Sequence, residues 1–440
     1  MSNIACILYP PTLDYRYLVQ RPQQLMTSFS ELNIPVYYLN NASPHLPSVT
    51  GVEKINDNFY LFNNVDPTPF LKGVRPVVYF SAPGQVDLVR QYNPSLVVFD
   101  SVDEPSDEFE AWQPYYQRAV LSSDLVFTTS EKLYQMALGI NANTYLVPNG
   151  CDYDYFSQAS TKSLPIPDDM AGINGPIIGY IGVVATWCDL ELIDRVAATY
   201  PNYNLVMVGP LYNVNEVPQR PNLHWLGFKP YEQLASYAQM FDVGIIPFKS
   251  SKMTDSVNPI KMWEYMGAGL PIVSTNIPEA SKYPDAVLCS ENAEIFIQNI
   301  NQALFTETPE KRQNRINLAS ANSWQSRAQQ IINIIENKLA EIGQDLTPIP
   351  EATVESLAYQ PSFPNEVEYS HYVNRLAPFR KLRISRRPFF RYSTYSFNNY
   401  GSGYSSEGGR RANLGSSHRY LKVVGKAAYK FQTERSRRTV

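Results

Sequence analysis

Residues 256–275 read SVNPIKMWEYMGAGLPIVST. A Pro and a Lys open a short run that carries Glu264, a tight Gly-x-Gly turn follows, and then an apolar strand. The spacing predicts a helix starting near Pro259, where the missing N–H of proline is tolerated in the first turn. Asn258 or Ser256 is placed to cap it. Lys261 and Glu264 are three residues apart and share one face of that helix. A cation in the first turn opposes the helix dipole, and a bound anion would relieve that opposition. A carboxylate one turn on suits a pair of neighbouring hydroxyls. The bland reading of the same pair is a surface Lys–Glu contact worth a few tenths of a kcal/mol. Residue types alone leave both readings open.

The flanking sequence shows what such a helix is built into. Short apolar runs alternate with amphipathic segments over the first 340 or so residues, the pattern of repeated β-α units on a parallel sheet. One series comprises IACILYP, IPVYYLN, FYLFNN, PVVYFS, SLVVFD, DLVFTTS and TYLVPN, with helix candidates at RPQQLMTSFSEL and QPYYQRAVLSSD. A second comprises PIIGYIGVV, YNLVMVGP, LHWLGF, DVGIIPF, LPIVST and AVLCS. Two series in tandem predict an α/β chain of two doubly wound, Rossmann-like domains facing a cleft. The Pro-, Gly- and Asp-rich segment 160–176 reads as the linker. The expected divisions are 1–165, 166–322, a helix over 323–343 that crosses back to the first domain, and a tail over 344–440. From 371 onward the tail holds 16 Lys and Arg against two Glu. Its few aliphatic residues predict disorder, with contact to an anionic surface or polymer as its functional reading and an inert extension as the other.

Composition excludes several classes. The net charge of −4 gives no global pull toward nucleic acid, and no specific nucleic-acid partner is expected. Cys6, Cys151, Cys188 and Cys289 are scattered without CxxC or metal-ligand spacing and read as reduced thiols. None of His45, His224, His371 or His418 stands in a catalytic-looking pattern, and no metal is expected. NIACILYP at the start has the length of a buried strand and no charged segment before it, unlike a signal peptide. No window reaches the roughly 18–20 apolar residues of a spanning helix. The expected location is the cytoplasm, with a peripheral place at the inner membrane face as the other option.

In the second series, GPIIGYIGVVATWCDLELIDRVAATY reads as strand, loop and helix, with positions 190, 193, 196 and 197 on one helical face. The loop after Gly182 would bring backbone N–H groups and a helix N-terminus to a diphosphate. It is not GxGxxG, so Gly179 and Gly182 are equally read as strand-packing positions. PIKMWEYMGAGLPIVST resembles the donor-binding signature of GT-B glycosyltransferases of the family 4-like kind, close to the bacterial pattern P-[IL]-K-x-x-E-Y-[LM]-A-x-G-x-P-V-V. YLVPNGCDYDYF (145–156), IGYIGVVATWCDLELI and SWQSRAQQI (323–331) resemble other segments of that family in the same order, and RPQQL (21–25) matches a subset of it. The resemblance spans about residues 1–340 and leaves the tail outside.

That resemblance implies metal-independent transfer from a nucleotide-sugar, UDP- or GDP-linked, with retained anomeric configuration and no separate cofactor. It implies that Glu264 holds the ribose hydroxyls and that Lys261, with Gly182 and Val183, neutralises the diphosphate. It places Gly209, Pro210 and Phe228 near the base, and Asn258 and Ser256 beside the donor. Asp103, in DEP (103–105), falls where many members carry a catalytic-site residue, so Asp103 and Lys261 are the catalytic candidates. A solvated loop acid or helix cap is the other reading of Asp103. Two departures stand out. The family's E-x7-E pattern would put a Glu where this chain has Ser256, and VVATWCDLELI lacks the Arg and Lys common in that loop. Trp187 and Asp189 are candidates to serve the donor there, Asp189 being equally a helix N-cap. Asp14, Tyr15, Arg16 and Arg21 cluster after the first strand as acceptor-side candidates, with an inter-domain salt bridge as the other reading of Arg21. The acceptor implied is a glycan, a lipid-linked sugar or a protein, in cell-surface polysaccharide or glycoconjugate synthesis. The rival reading is a non-catalytic GT-B scaffold that binds nucleotide or glycan, which Ser256 favours. A third makes the basic tail the working part.

Overall fold

The computed structural model describes residues 3–343 apart from 45, 47 and 48. The predicted basic tail therefore lies outside the described residues. Two sheets organise the rest. The first holds β1 (Ile7–Tyr9), β2 (Val36–Asn40), β3 (Gly51–Asn56), β4 (Phe59–Asn63), β5 (Val77–Phe80), β6 (Leu96–Ser101), β7 (Leu125–Thr128) and β8 (Thr144–Leu146). Their order is β3-β4-β2-β1-β5-β6-β7-β8, parallel except for the antiparallel β3–β4 pair. The second holds β9 (Ile177–Ile181), β10 (Asn204–Val208), β11 (Leu223–Gly227), β12 (Val243–Ile246), β13 (Ile272–Thr275) and β14 (Val287–Ser290), all parallel, in the order β11-β10-β9-β12-β13-β14.

All the expected strands are present because strands of a parallel sheet are covered on both faces and must be apolar throughout. β3 is the addition. Its sequence GVEKIN carries Glu53 and Lys54 on an edge strand, where charge blunts unwanted pairing and hides the strand from an apolar-run reading. In each sheet the chain reverses its direction of winding at the first strand, so β1 lies between β2 and β5, and β9 between β10 and β12. Such switch points open a crevice at the carboxyl ends of the strands.

Helix Arg21–Glu31 and the final helix Trp324–Glu341 share one core on the first sheet, where Leu25, Met26 and Phe29 meet Trp324, Ala328, Ile331 and Ile335. The last helix therefore packs on the first sheet after the chain has completed the second. At its entry, Cys151 N–H donates to Asn322 O at 3.0 Å and Trp324 N–H to Cys151 O at 3.0 Å. A Cβ on Gly150 would fall 2.9 Å from Asn322 O, which explains the glycine of PNG.

Arg21 makes no inter-domain bridge, which corrects that reading of it. Its guanidinium forms a fork with Asp100 on β6 of the first sheet, Nε to Oδ2 at 2.8 Å and Nη2 to Oδ1 at 2.9 Å. The side chains of the pair are 3% and 0% exposed. Removing one partner of a buried pair leaves the other charge uncompensated, at about 3–5 kcal/mol. Arg21→Ala is expected to lose stability on that scale in chemical denaturation. Arg21→Lys should recover little of it, because an ammonium cannot reproduce the planar fork.

Candidate active site

The helix of the opening stretch is Ile260–Gly267, eight residues long, between the loop after β12 and strand β13. Its N-cap is Pro259, with no side-chain cap bond, so the expected capping by Asn258 or Ser256 does not occur. Asn258 Oδ1 instead accepts the indole N–H of Trp263 at 2.9 Å and the backbone N–H of Asn149 at 3.2 Å. Ser256 is fully buried, and its hydroxyl donates to Met253 O at 2.8 Å, closing a turn.

Met262, Trp263, Tyr265 and Met266 bury the inner faces of this helix, which leaves Lys261 and Glu264 to the cleft. Both line a cavity of about 250 Å³ bounded by residues from the strand ends of both sheets. Gly182, Val183, Trp187, Gly209, Pro210, Phe228 and Asn258 line it from the second sheet, and Arg16, Arg21 and Asp103 from the first. Four predicted residues do not line it: Ser256, Asp14, Tyr15 and Asp189. Asp14 accepts the backbone N–H groups of Arg16 and Ser43, at 2.9 and 2.6 Å, and so organises its own loop. Tyr15 stacks edge-on against Tyr38 and Phe59 and bonds Thr27. Arg16 reaches the cavity but pairs with Glu53.

The end of β9 shows why glycine is needed there. Gly209 (φ +146°) passes so close that a Cβ on it would sit 1.9 Å from Gly182 O. A Cβ on Gly182 (φ +139°) would come 3.0 Å from Lys261 Cε. Backbone and ammonium thus converge at the ends of β9 and β10. Gly179, by contrast, is a packing position: a Cβ there would meet the Phe241 ring at 1.9 Å. The expected helix N-terminus does not join this floor. Asp189 caps helix Leu190–Thr199, accepting Leu192 N–H at 3.0 Å, which gives that terminus a carboxylate of its own.

Lys261 makes no ion pair among the described residues. Its Nζ lies 4.7 Å from the Phe248 ring centre and 5.3 Å from that of Tyr180, and burial lowers its pKa. Glu264 makes no side-chain hydrogen bond among the described residues. Burial pushes its carboxyl up to about 7, partly opposed by Lys261 and reinforced by Asp152. Burial likewise pushes Asp103 to about 7. A buried cation without a carboxylate partner, beside a carboxylate without donors, is the electrostatic outline of an anionic, hydroxyl-bearing ligand.

A pH dependence follows. Glu264 keeps its proton until about pH 7, and hydroxyl groups donate best to the ionised form, so a hydroxyl-bearing ligand held by Glu264, such as a nucleoside diphosphate, should bind more tightly at pH 8 than at pH 6. The empty protein should move the other way. Its unfolded chain releases that proton first, so the stability contributed by the raised group is fully present below the ordinary Glu range and is lost as pH rises through about 7. The gain in melting temperature on adding nucleoside diphosphate should therefore be larger at pH 8 than at pH 5.5.

Several residues at the domain junction carry no sequence signal. Glu279 is 3% exposed and accepts the Glu131 backbone N–H at 2.9 Å and the Asn258 amide at 3.3 Å. Asn149 Nδ2 donates to Asn258 O at 2.6 Å, and Gln24 Nε2 to the Tyr231 hydroxyl at 2.6 Å. Tyr17 stacks on Phe228 at 5.1 Å. Apart from the Asn258–Glu279 bond, these contacts join partners at least 109 residues apart, so only folding reveals them. No group of three His, Cys, Asp or Glu is placed to hold a metal among the described residues, and no helix among them is long and apolar enough to cross a membrane.

With its strand-end cleft between two doubly wound sheets, the chain has the GT-B fold. Residues 176–305 match the family model described as glycosyl transferases group 1. The putative teichuronic acid biosynthesis glycosyltransferase TuaH of Bacillus subtilis is 27% identical over 232 residues. That match spans 48% of this chain and 58% of the relative, short of two thirds of its length. Sucrose-phosphate synthase from Thermosynechococcus elongatus superposes with a TM-score of 0.59 at 15% identity, over 76% of this chain and 99% of the other. Anabaena HepE in complex with UDP and glucose gives 0.55 at 16% identity, over 75% and 98%.

Proposed function

We propose that the protein is a metal-independent glycosyltransferase that moves a sugar from a nucleoside diphosphate donor, UDP- or GDP-linked, to an acceptor hydroxyl in polysaccharide or glycoconjugate synthesis. One observation carries the reading: Lys261 and Glu264, both without ionic or hydrogen-bonded side-chain partners among the described residues, face the same cavity from one helix turn, with Asp103 lining it from the other sheet. Glu264 holds the two ribose hydroxyls. Lys261 and the backbone at Gly182 and Gly209 meet the diphosphate. The bond from the anomeric carbon to the phosphate oxygen breaks with its electron pair on the diphosphate, where Lys261 stabilises the charge. The acceptor oxygen bonds to the anomeric carbon, and its proton passes to a base in the cleft, for which Asp103 and the departing phosphate are the candidates. Retention of configuration, as the family resemblance implies, and a glycan, lipid-linked or protein acceptor complete the proposal.

The relative named for teichuronic acid synthesis supports a polysaccharide acceptor, and the neighbour holding UDP and glucose supports a UDP-linked donor. The test is the melting midpoint of the full chain with UDP, GDP, TDP and ADP. A ligand at 100 times its Kd adds about 2.7 kcal/mol, and a single nucleotide that shifts the midpoint names the donor base. No shift with any of them would favour a scaffold, for which the burial of Ser256 away from the cavity is the supporting observation.

A further inference from the structure

The strand order of the second sheet lays out the donor from one end to the other. The cavity passes the exits of β11, β10, β9 and β12, represented in turn by Phe228, Gly209, Gly182 and Phe248. On the reading above, the base lies toward Phe228 and the diphosphate at Gly182 and Lys261. The sugar then falls beyond them, against the loop that follows β12 and the Asp103 loop facing it.

That end of the cavity is apolar. Phe109, Trp112 and Met253 form one buried cluster with Val102 and Trp187 packed against it, and all five line the cavity. Val257 lines it next to them. Met253 is fixed from both sides of the cleft. Its backbone N–H donates to Asp107 Oδ2 at 2.9 Å, and its carbonyl accepts the Ser256 hydroxyl at 2.8 Å. Phe109 and Trp112 stack with ring centres 4.6 Å apart on the facing loop. Position 256, which carries a Glu in the resembling pattern, here turns its small hydroxyl into the backbone. Among the residues of these facing loops that line the cavity, Asp103 is the one with a charge. A sugar hydroxyl directed at the aromatic and methionine wall would lose water without gaining a partner.

We propose that the donor sugar carries a methyl group at the position facing this wall, either the acetamido methyl of an N-acetylated hexosamine or the C6 methyl of a 6-deoxyhexose. The inference rests on the donor-site reading above. A methyl placed in an apolar pocket is worth on the order of tenfold in affinity or more. Both sugars share that chemistry, and matched ligands separate them.

The experiment is calorimetric titration of the full chain with pairs that share a base: UDP-N-acetylglucosamine against UDP-glucose, and GDP-6-deoxy-D-mannose against GDP-D-mannose, each beside its bare nucleoside diphosphate. The expected result is a preference of about tenfold for the methyl-bearing member of one pair, and the pair that shows it identifies the source of the methyl. Met253→Gln, close in shape but polar, should reduce that preference, and its melting transition reports that it folds. Equal or tighter binding of both fully hydroxylated sugars, with the bare nucleotides still bound, would overturn the methyl inference and leave the donor site standing. Failure of every bare nucleoside diphosphate, GDP included, to bind would remove the donor site and the inference together.

Discussion

Glu264→Ala is expected to weaken binding of the donor nucleotide by at least about a hundredfold and to bring sugar transfer to background. Each hydrogen bond to an ionised acceptor contributes about 1.5–3 kcal/mol, and in the proposed donor complex one carboxylate receives two ribose hydroxyls. About 3 kcal/mol is already two powers of ten. Glu264→Gln keeps one acceptor oxygen and should fall between. The readout that separates ribose contact from general damage is a cycle with 2′-deoxynucleotide. The deoxy ligand should bind the wild type more weakly than the ribo form does, while the Ala variant should not distinguish them. If the Ala variant retains the ribo preference, the hydroxyls are held elsewhere. Stability supplies a second check, because a carboxyl whose pKa burial has raised to about 7 is strained when ionised. Its removal should leave the empty protein no less stable at pH 8.

Lys261→Met is expected to reduce the rate of transfer by about a hundredfold to a thousandfold, the scale on which removal of one preorganised charge-stabilising group acts. The effect should fall mainly on kcat, since the charge it meets grows as the diphosphate departs. Packing makes the second half of this prediction specific. The ammonium sits near the Phe248 and Tyr180 rings without a carboxylate, and burial lowers its pKa. Methionine keeps the apolar stem and discards the buried charge, so the variant should melt at or above the wild-type temperature while being nearly inactive. A stability gain joined to a loss of turnover is the signature of a residue kept for function. Lys261→Arg should not restore the full rate, because a longer, planar guanidinium cannot place its charge where the compact ammonium sits beside the Phe248 and Tyr180 rings. Unchanged turnover in Lys261→Met would move diphosphate stabilisation to the backbone alone.

These predictions depend on a cleft held together by contacts between distant parts of the chain. Asn258 is the clearest case. In the sequence it looks like a helix cap or a donor contact. In the structure its amide and carbonyl bridge Asn149, Trp263 and Glu279, so it clasps the segment after β8 to the start of the donor-side helix. Glu279 then holds the first backbone N–H of helix Glu131–Leu138. The arrangement keeps Lys261 and Glu264 at a fixed distance from the first sheet without either of them joining the clasp.

Local pattern was enough to read the alternation of strands and helices, the two sheets and the placement of Lys261 and Glu264 on one helix face. Those features follow from local periodicity, and a three-residue spacing on a helix is a fixed geometry. It also determined that Gly182 and Gly209 stand at strand exits. Tertiary structure alone decided which of the flagged polar residues face the cavity. Asp14 and Ser256 are turned into their own loops by backbone hydrogen bonds, Asp189 is spent on a helix end, and Arg21 lines the cavity with its charge already met by a buried fork with Asp100. A polar side chain satisfies whichever partner the fold brings within reach, and partners up to 79 residues away leave no mark on local pattern. The apolar wall of Phe109, Trp112 and Met253 was hidden for the same reason: its members come from loops more than 140 residues apart, and only closure of the two sheets gives them a common surface.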